Sequence, residues 1–148
     1  MPCREVVLDC EWFVLGRHRL IKQLSFCDVR THMSHLYKFS IPRCYSVHAA
    51  EFRKQAAHSH GLLWSAPGEY CCSMVDHVIK DIVCRLDEEE ANVCFWTKGV
   101  EKAAILKTYG PDVQNLELIN CPKFNDLTGL SQTTLNKAVV FAHWMSHQ

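Results

Sequence analysis

The sequence predicts one α/β domain with a mixed β-sheet and helices packed on its faces. Three strand-like segments come first, a pattern that predicts an antiparallel meander. Helical and strand-like segments then alternate, which favours further strands in the same sheet. The chain has 148 residues, of which 48% are hydrophobic and 22% charged. This size and composition fit a single domain over residues 1–148 and exclude intrinsic disorder.

The three opening strands are predicted at residues 6–10, 20–29 and 35–41. The first is a β-branched apolar run, Gly16 marks the turn after it, and Pro42 closes the third. Residues 73–86 carry apolar side chains at spacings of three and four, which predicts an amphipathic helix with Ser73 as its N-cap. The remaining predictions are helices at 47–58, 99–109 and 133–145, strands at 92–96 and 115–120, and a loop at 58–69.

The charge of the chain is balanced overall but uneven along its length. Sixteen Lys and Arg residues match sixteen Asp and Glu residues, which argues against duplex DNA binding by bulk electrostatics alone. Residues 1–60 hold nine Lys and Arg against five Asp and Glu, so this segment carries a charge of +4. A surface built mainly from residues 1–60 is therefore a candidate for binding phosphate groups.

The cysteines indicate a reducing compartment. There are nine, an odd number, and several lie in apolar segments where a free thiol behaves as a small buried hydrophobe. No CxxC motif occurs. The start of the chain lacks a basic region followed by an apolar one, so we expect neither a signal peptide nor a membrane span. We therefore expect an intracellular protein of the cytoplasm or nucleus.

Two carboxylates, Asp9 and Glu11, lie at the end of the first predicted strand. Side chains two residues apart on a strand point to the same face, so both can share divalent cations. Together with further acidic side chains, such a pair can hold two metal ions and activate water against a phosphodiester.

The chain resembles the DEDD 3′–5′ exonuclease superfamily, in its histidine-bearing branch. The first family motif, an apolar strand with Asp-x-Glu, is matched by Asp9 and Glu11. The segment HGLLW at 60–64 is similar to the loop after the third strand, and residues 92–106 are similar to the second motif, a strand followed by a helix. The resemblance implies a ribonuclease H-like fold and, in an active member, hydrolysis with Mg²⁺ or Mn²⁺.

The chain departs from the family at the other catalytic positions. Alignment with the family places Lys102 at the metal-binding Asp of the second motif. In the third motif it places Gln132 at the general-base His and Lys137 at the last metal-binding Asp. An amide cannot take a proton from water at neutral pH, and a lysine opposes metal binding. We therefore predict an inactivated exonuclease fold in which lysines form ion pairs with Asp9 and Glu11.

The function predicted on this basis is binding of single-stranded nucleic acid or of a protein partner. One alternative is an active two-metal nuclease on RNA or DNA that uses Asp9, Glu11, Glu101 and Asp126 as ligands. Another alternative is a protein-interaction or dimerisation module of an RNA-silencing assembly. The candidate residues for nucleic-acid binding are two aromatic side chains for base stacking and three basic ones in the first hairpin. They are Trp12, Trp64, Arg17, Arg19 and Lys22.

The resemblance also extends, more weakly, to Maelstrom-type domains, which have this fold without its catalytic set and carry a Glu-His-His-Cys zinc site. No motif here matches that site residue by residue. The candidates by residue type are Cys121, Glu69, His58, His60 and His77. A buried thiol is the preferred interpretation of Cys121, and we expect no resident cofactor.

Overall fold

A computed structural model describes residues 3–148. The strands are β1 (Arg4–Leu15), β2 (His18–Asp28), β3 (Ser34–Ser40), β4 (Tyr70–Cys71), β5 (Val93–Thr97) and β6 (Val113–Asn115). The helices are α1 (Ala49–His58), α2 (Val75–Arg85), α3 (Val100–Lys107), α4 (Phe124–Leu127) and α5 (Thr134–Ser146).

The six strands form one mixed sheet in the order β4-β3-β2-β1-β5-β6. Strands β1, β2 and β3 form the predicted antiparallel meander, whereas β5, β6 and β4 pair in parallel with their neighbours. The predicted fold class is confirmed, and the arrangement is consistent with a ribonuclease H-like α/β fold. Strand β1 lies between an antiparallel neighbour, β2, and a parallel neighbour, β5, which pairs with its first four residues, Arg4–Val7.

Helices cover both faces of the sheet because β1 is apolar on both sides. Leu8 and Cys10 point to the face that is packed by α2 and α3. Val7 points to the opposite face, where it packs with Phe141 and other residues of α5. A smaller apolar cluster packs α1 against the end of β1. Asp9 and Glu11 alternate with Leu8 and Cys10, so they share the α5 face with Val7.

Three local predictions differ from the structure. Residues 115–120 were expected to form a strand, but the strand ends at Asn115 and a 3₁₀ turn follows at Leu116–Ile119. The Asn115 side chain accepts hydrogen bonds from the N–H groups of Glu117 and Gly99, which favours the turn. Ser73 is not the N-cap of α2, because a 3₁₀ turn at Cys72–Met74 precedes that helix.

Residues 43–48 form a 3₁₀ turn, so α1 begins two residues later than the helix predicted from position 47. No helix within residues 3–148 is long and apolar enough to span a membrane.

Candidate functional site

Asp9 lies at the centre of the sheet and forms an ion pair with Lys102. The side chain of Asp9 is 1% exposed, and Lys102 Nζ donates a hydrogen bond to Asp9 Oδ1 over 2.7 Å. The second carboxylate oxygen, Oδ2, is buried and has no hydrogen-bond partner among the described residues. Lysine 102 is therefore the main partner of a carboxylate that water does not reach.

A second ion pair lies on the same face, two residues further along β1. Glu11 Oε1 is 3.6 Å from Lys137 Nζ, and both side chains are less than one-fifth exposed. Lys137 also lowers the pKa of Asp9, whereas Glu11 raises it. The two acidic and two basic side chains form a group without net charge, and the predicted pairing of lysines with Asp9 and Glu11 is present.

Burial dominates the titration of this group. Desolvation raises the pKa of Asp9 from 3.8 to about 6, although the attraction and hydrogen bond of Lys102 act in the opposite direction. For Lys102, desolvation lowers the pKa, but the charges of Asp9 and Glu11 outweigh it and hold the pKa above its ordinary value. Lys102 therefore stays protonated at neutral pH, while Asp9 accepts a proton in mildly acidic solution.

The ends of two helices position the lysines. Gly99 has a φ of +116°, which favours glycine, and its N–H donates to Asn115 Oδ1 over 2.9 Å. This turn carries the chain from β5 into α3, so Lys102 reaches Asp9 from the first turn of the helix. Helix α5 begins at the N-cap Thr133, whose hydroxyl accepts from the N–H of Asn136, and Lys137 follows one turn later.

The side chains around Asp9 do not fit a pair of divalent cations. Glu101 and Asp126, the carboxylates required by the active-nuclease alternative, are both exposed, whereas Asp9 is buried. Gln132 is exposed and donates to Asn125 instead of facing the carboxylates. Within residues 3–148, no three His, Cys, Asp or Glu side chains are placed to hold a metal ion. Lys102 lies beside Asp9 and Lys137 lies beside Glu11, and the positive charge of each lysine opposes the binding of a cation there.

The side chains considered as zinc ligands do not come together either. Cys121 is buried, and its thiol contacts the carbonyl oxygen of Pro122 over 3.5 Å. His77, on α2, lies with its ring tilted against that of Tyr70, the centroids being 6.1 Å apart. Burial raises the pKa of the Cys121 thiol to about 11, so this thiol is neutral at physiological pH.

A groove of about 650 Å³ lies between the end of β1 and α1, next to Glu11. Its floor is formed by residues of β1, and its other wall by α1 and the start of the following loop. The lining residues are Glu11, Trp12, Val14, Leu15, Gly16, Glu51, Gln55, Ser59 and His60.

Two side chains fix the walls of this groove. The Gln55 amide accepts from the N–H of Val14 and donates to its carbonyl, each over 2.7 Å. His60 Nδ1 accepts from the N–H of Leu62, so Nε2 carries the proton and donates to the carbonyl of Trp12 over 3.0 Å. The sequence analysis missed Gln55, because a lone glutamine on a helix has no pattern that distinguishes it.

The five candidate residues for nucleic-acid binding lie in different environments. Arg17 and Arg19 are exposed at the turn between β1 and β2, at one end of the groove, and Trp12 is half-buried in the groove wall. Trp64 packs against Phe52, with ring centroids 5.7 Å apart. Its position favours a packing role over base stacking.

The expectation that Lys22 belongs to the exposed basic hairpin is wrong. Lys22 is 4% exposed, and its ammonium donates to the carbonyls of Phe39 and Ala66. The pairing register shifts after Glu11, so that Trp12 pairs with Ile21 and Lys22 has no partner on β1. This β-bulge turns Lys22 into the protein, where it anchors the loop that follows α1.

No protein-family model matches this chain, and no curated protein shows significant sequence similarity to it.

Replacing Lys102 with Met should destabilise the protein by about 3–5 kcal/mol at neutral pH, because a buried carboxylate loses its partner. The double variant Asp9→Asn/Lys102→Met should recover most of this loss, since it removes both charges. Urea unfolding measures both effects. Lys107→Met, on an exposed position of the same helix, is the control and should change stability by less than about 0.5 kcal/mol. A double variant as unstable as Lys102→Met would contradict the proposed energetic role of the pair.

Asp9 should also make stability pH-dependent. Its pKa is about 6 in the folded protein and 3.8 ordinarily, so the folded state binds the proton more tightly. The free energy of unfolding should therefore fall as the pH rises from about 4 to about 7, by up to about 3 kcal/mol relative to Asp9→Asn, which has no proton to lose there. Urea unfolding at a series of pH values tests this.

The control for the pH series is Asp126→Asn, which removes an exposed carboxylate. An equal pH-dependent difference between wild type and this control would show that the effect does not come from Asp9.

Proposed function

We propose that this protein is an exonuclease-like module that binds single-stranded nucleic acid without hydrolysing it. The absence of hydrolysis is proposed from one observation, the pairing of Asp9 with Lys102 and of Glu11 with Lys137. Two-metal hydrolysis needs several carboxylates whose charge is balanced by the cations that activate water. Here the two ammonium groups already balance the carboxylates, so the driving force for binding divalent cations is removed.

The groove beside Glu11 supports the proposed binding of single-stranded nucleic acid. Trp12 lines the groove, with a partly exposed side chain that also packs against the main core, and Arg17 and Arg19 lie exposed next to the adjoining turn. Aromatic side chains stack on unpaired bases, and arginines contact the phosphates that follow. A groove with one aromatic wall and cations at its end suits a single strand better than a duplex.

The groove itself is lined by two carboxylates, Glu11 and Glu51, and by no Lys or Arg, so the positive charge for this ligand has to come from basic side chains elsewhere in residues 1–60. Arg43, Arg53 and Lys54, in α1 and the turn before it, are exposed like Arg17 and Arg19. None of these five side chains forms an ion pair with a described residue. The excess positive charge of residues 1–60 therefore remains free to attract phosphates. A reducing compartment, cytoplasm or nucleus, suits a chain with nine cysteines that include no disulfide among its described residues.

A protein partner is the second candidate, favoured by one surface feature. Val100, Leu118 and Ile119 are 71%, 78% and 40% exposed, and they follow the ends of β5 and β6. The hydrogen bond from Gly99 to Asn115 joins the two segments that carry them. Exposed apolar side chains on adjoining loops are typical of protein interfaces.

The purified protein should not shorten end-labelled single-stranded RNA or DNA in Mn²⁺ beyond the level of an EDTA control, because the Asp9 and Glu11 charges are already paired. Denaturing gels measure this, with Asp9→Ala assayed in parallel. Cleavage that disappears in both EDTA and Asp9→Ala would make the protein an active metal nuclease and overturn the proposal.

The variant Lys102→Asp/Lys137→Asp should acquire an affinity for Mn²⁺. Four carboxylates without cations repel one another, so cation binding should raise the melting temperature as the Mn²⁺ concentration increases. Wild type should show no such dependence, and differential scanning fluorimetry compares the two. Lys107→Asp/Lys123→Asp, which makes the same charge change at exposed positions, is the matched control. An equal Mn²⁺ response in this control would contradict a site at Asp9 and Glu11.

Binding to a fluorescent single strand should weaken linearly with the logarithm of the salt concentration, because phosphate contacts release counterions. The variant Arg17→Ala/Arg19→Ala should reduce the slope by about 1 to 2, and Lys107→Ala/Lys123→Ala, with the same loss of charge, should leave it nearly unchanged. Fluorescence anisotropy provides the affinities. Absence of binding at low salt would reject nucleic acid as the ligand and favour the protein-partner candidate.

A further inference from the structure

Two cysteines, Cys3 immediately before β1 and Cys94 on β5, belong to adjoining segments of the sheet, away from the Asp9 group. In the parallel pairing of β1 and β5, Cys94 lies opposite Glu5. Cys3 precedes Glu5 by two residues, so the alternation of an extended chain places its side chain on the same face as those of Glu5 and Cys94. The two thiols thus project from neighbouring segments on one side of the sheet.

The pKa of Cys94 is consistent with this placement. Burial raises its pKa to about 11, and the Cys3 thiol and the carboxylates of Glu5 and Asp112 add to the effect. Both cysteines are free thiols, Cys3 exposed and Cys94 half-buried, so a small reagent reaches Cys3 first.

We infer that Cys3 and Cys94 form a redox-sensitive pair that closes to a disulfide by exchange with a low-molecular-mass disulfide such as oxidised glutathione. The Cys3 thiolate attacks one sulfur of glutathione disulfide, whose S–S bond breaks and releases one glutathione thiolate. Cys94 loses its proton to solvent and attacks the Cys3 sulfur of the mixed disulfide, releasing the second glutathione. Two protein thiols are oxidised and one glutathione disulfide is reduced to two glutathione molecules, which take up the two protons.

The disulfide would join β1 to β5 beside an existing electrostatic contact. Arg4, next to Cys3, forms ion pairs with Asp28 on β2 and with Glu88 before β5. The crosslink would close a long covalent loop between strands that are already paired. Restricting the unfolded chain in this way should stabilise the oxidised protein, with a melting temperature higher by roughly 10 °C.

The experiment is to treat the whole protein with oxidised glutathione at mildly alkaline pH and analyse it by intact and peptide mass spectrometry. Wild type should lose two hydrogens and yield one crosslinked peptide pair that contains Cys3 and Cys94. Cys94→Ser should retain one glutathione on Cys3, because the resolving thiol is missing. Cys3→Ser should form neither product, and Cys84→Ser, which removes an exposed cysteine of α2, should form the crosslink like wild type.

Three results would overturn the inference. The first is a stable glutathione adduct on Cys3 of wild type with no internal crosslink, which would mean that Cys94 cannot reach it. The second is a crosslink between other cysteines, such as the adjacent Cys71 and Cys72, while Cys3 and Cys94 stay reduced. A melting temperature of the oxidised wild type equal to that of reduced protein would likewise reject the proposed coupling of β1 to β5.

Discussion

The buried carboxylate of Asp9 imposes the main constraint on this structure. A carboxylate that is 1% exposed needs a positive charge within bonding distance, because desolvation of an unpaired charge costs several kcal/mol. Lys102 supplies that charge from α3. The position of α3 relative to β1 is therefore tied to an electrostatic requirement as well as to apolar packing. The pair is incompletely satisfied, since Asp9 Oδ2 has no partner among the described residues, and this explains why burial still raises the Asp9 pKa.

The ion pair between Glu11 and Lys137 balances charge in the same way, closer to the surface. Glu11 and Lys137 are 3.6 Å apart and partly exposed, so their attraction is more strongly screened than that of the inner pair. This pair affects the inner one through its position, because the charge of Lys137 acts on both carboxylates of β1 and lowers the pKa of Asp9. Helices on different parts of the chain, α3 and α5, thus converge on one strand through two lysines.

Alternation along β1 was sufficient to predict that Asp9 and Glu11 share a face, since a strand leaves no other arrangement. The lysines could be predicted only through the resemblance to exonuclease motifs, because their partners lie 93 positions away in one case. The mispredicted elements have local causes. A one-residue bulge opposite β1 reverses the direction of Lys22, and the strand expected after Asn115 is replaced by a turn that the Asn115 carboxamide stabilises.

The ion pairs and the groove depend on different parts of the same strand. The groove is fixed by Gln55 and His60, which bind backbone groups of Val14 and Trp12, whereas the ion pairs depend on the side chains of Asp9 and Glu11. A binding surface built on backbone contacts of β1 does not require cations at Asp9. Because two lysines neutralise the two carboxylates, this centre needs no external cation for charge balance. A charge-balanced centre and a neighbouring groove with its own supports are therefore physically compatible on one strand, and the proposed function requires both.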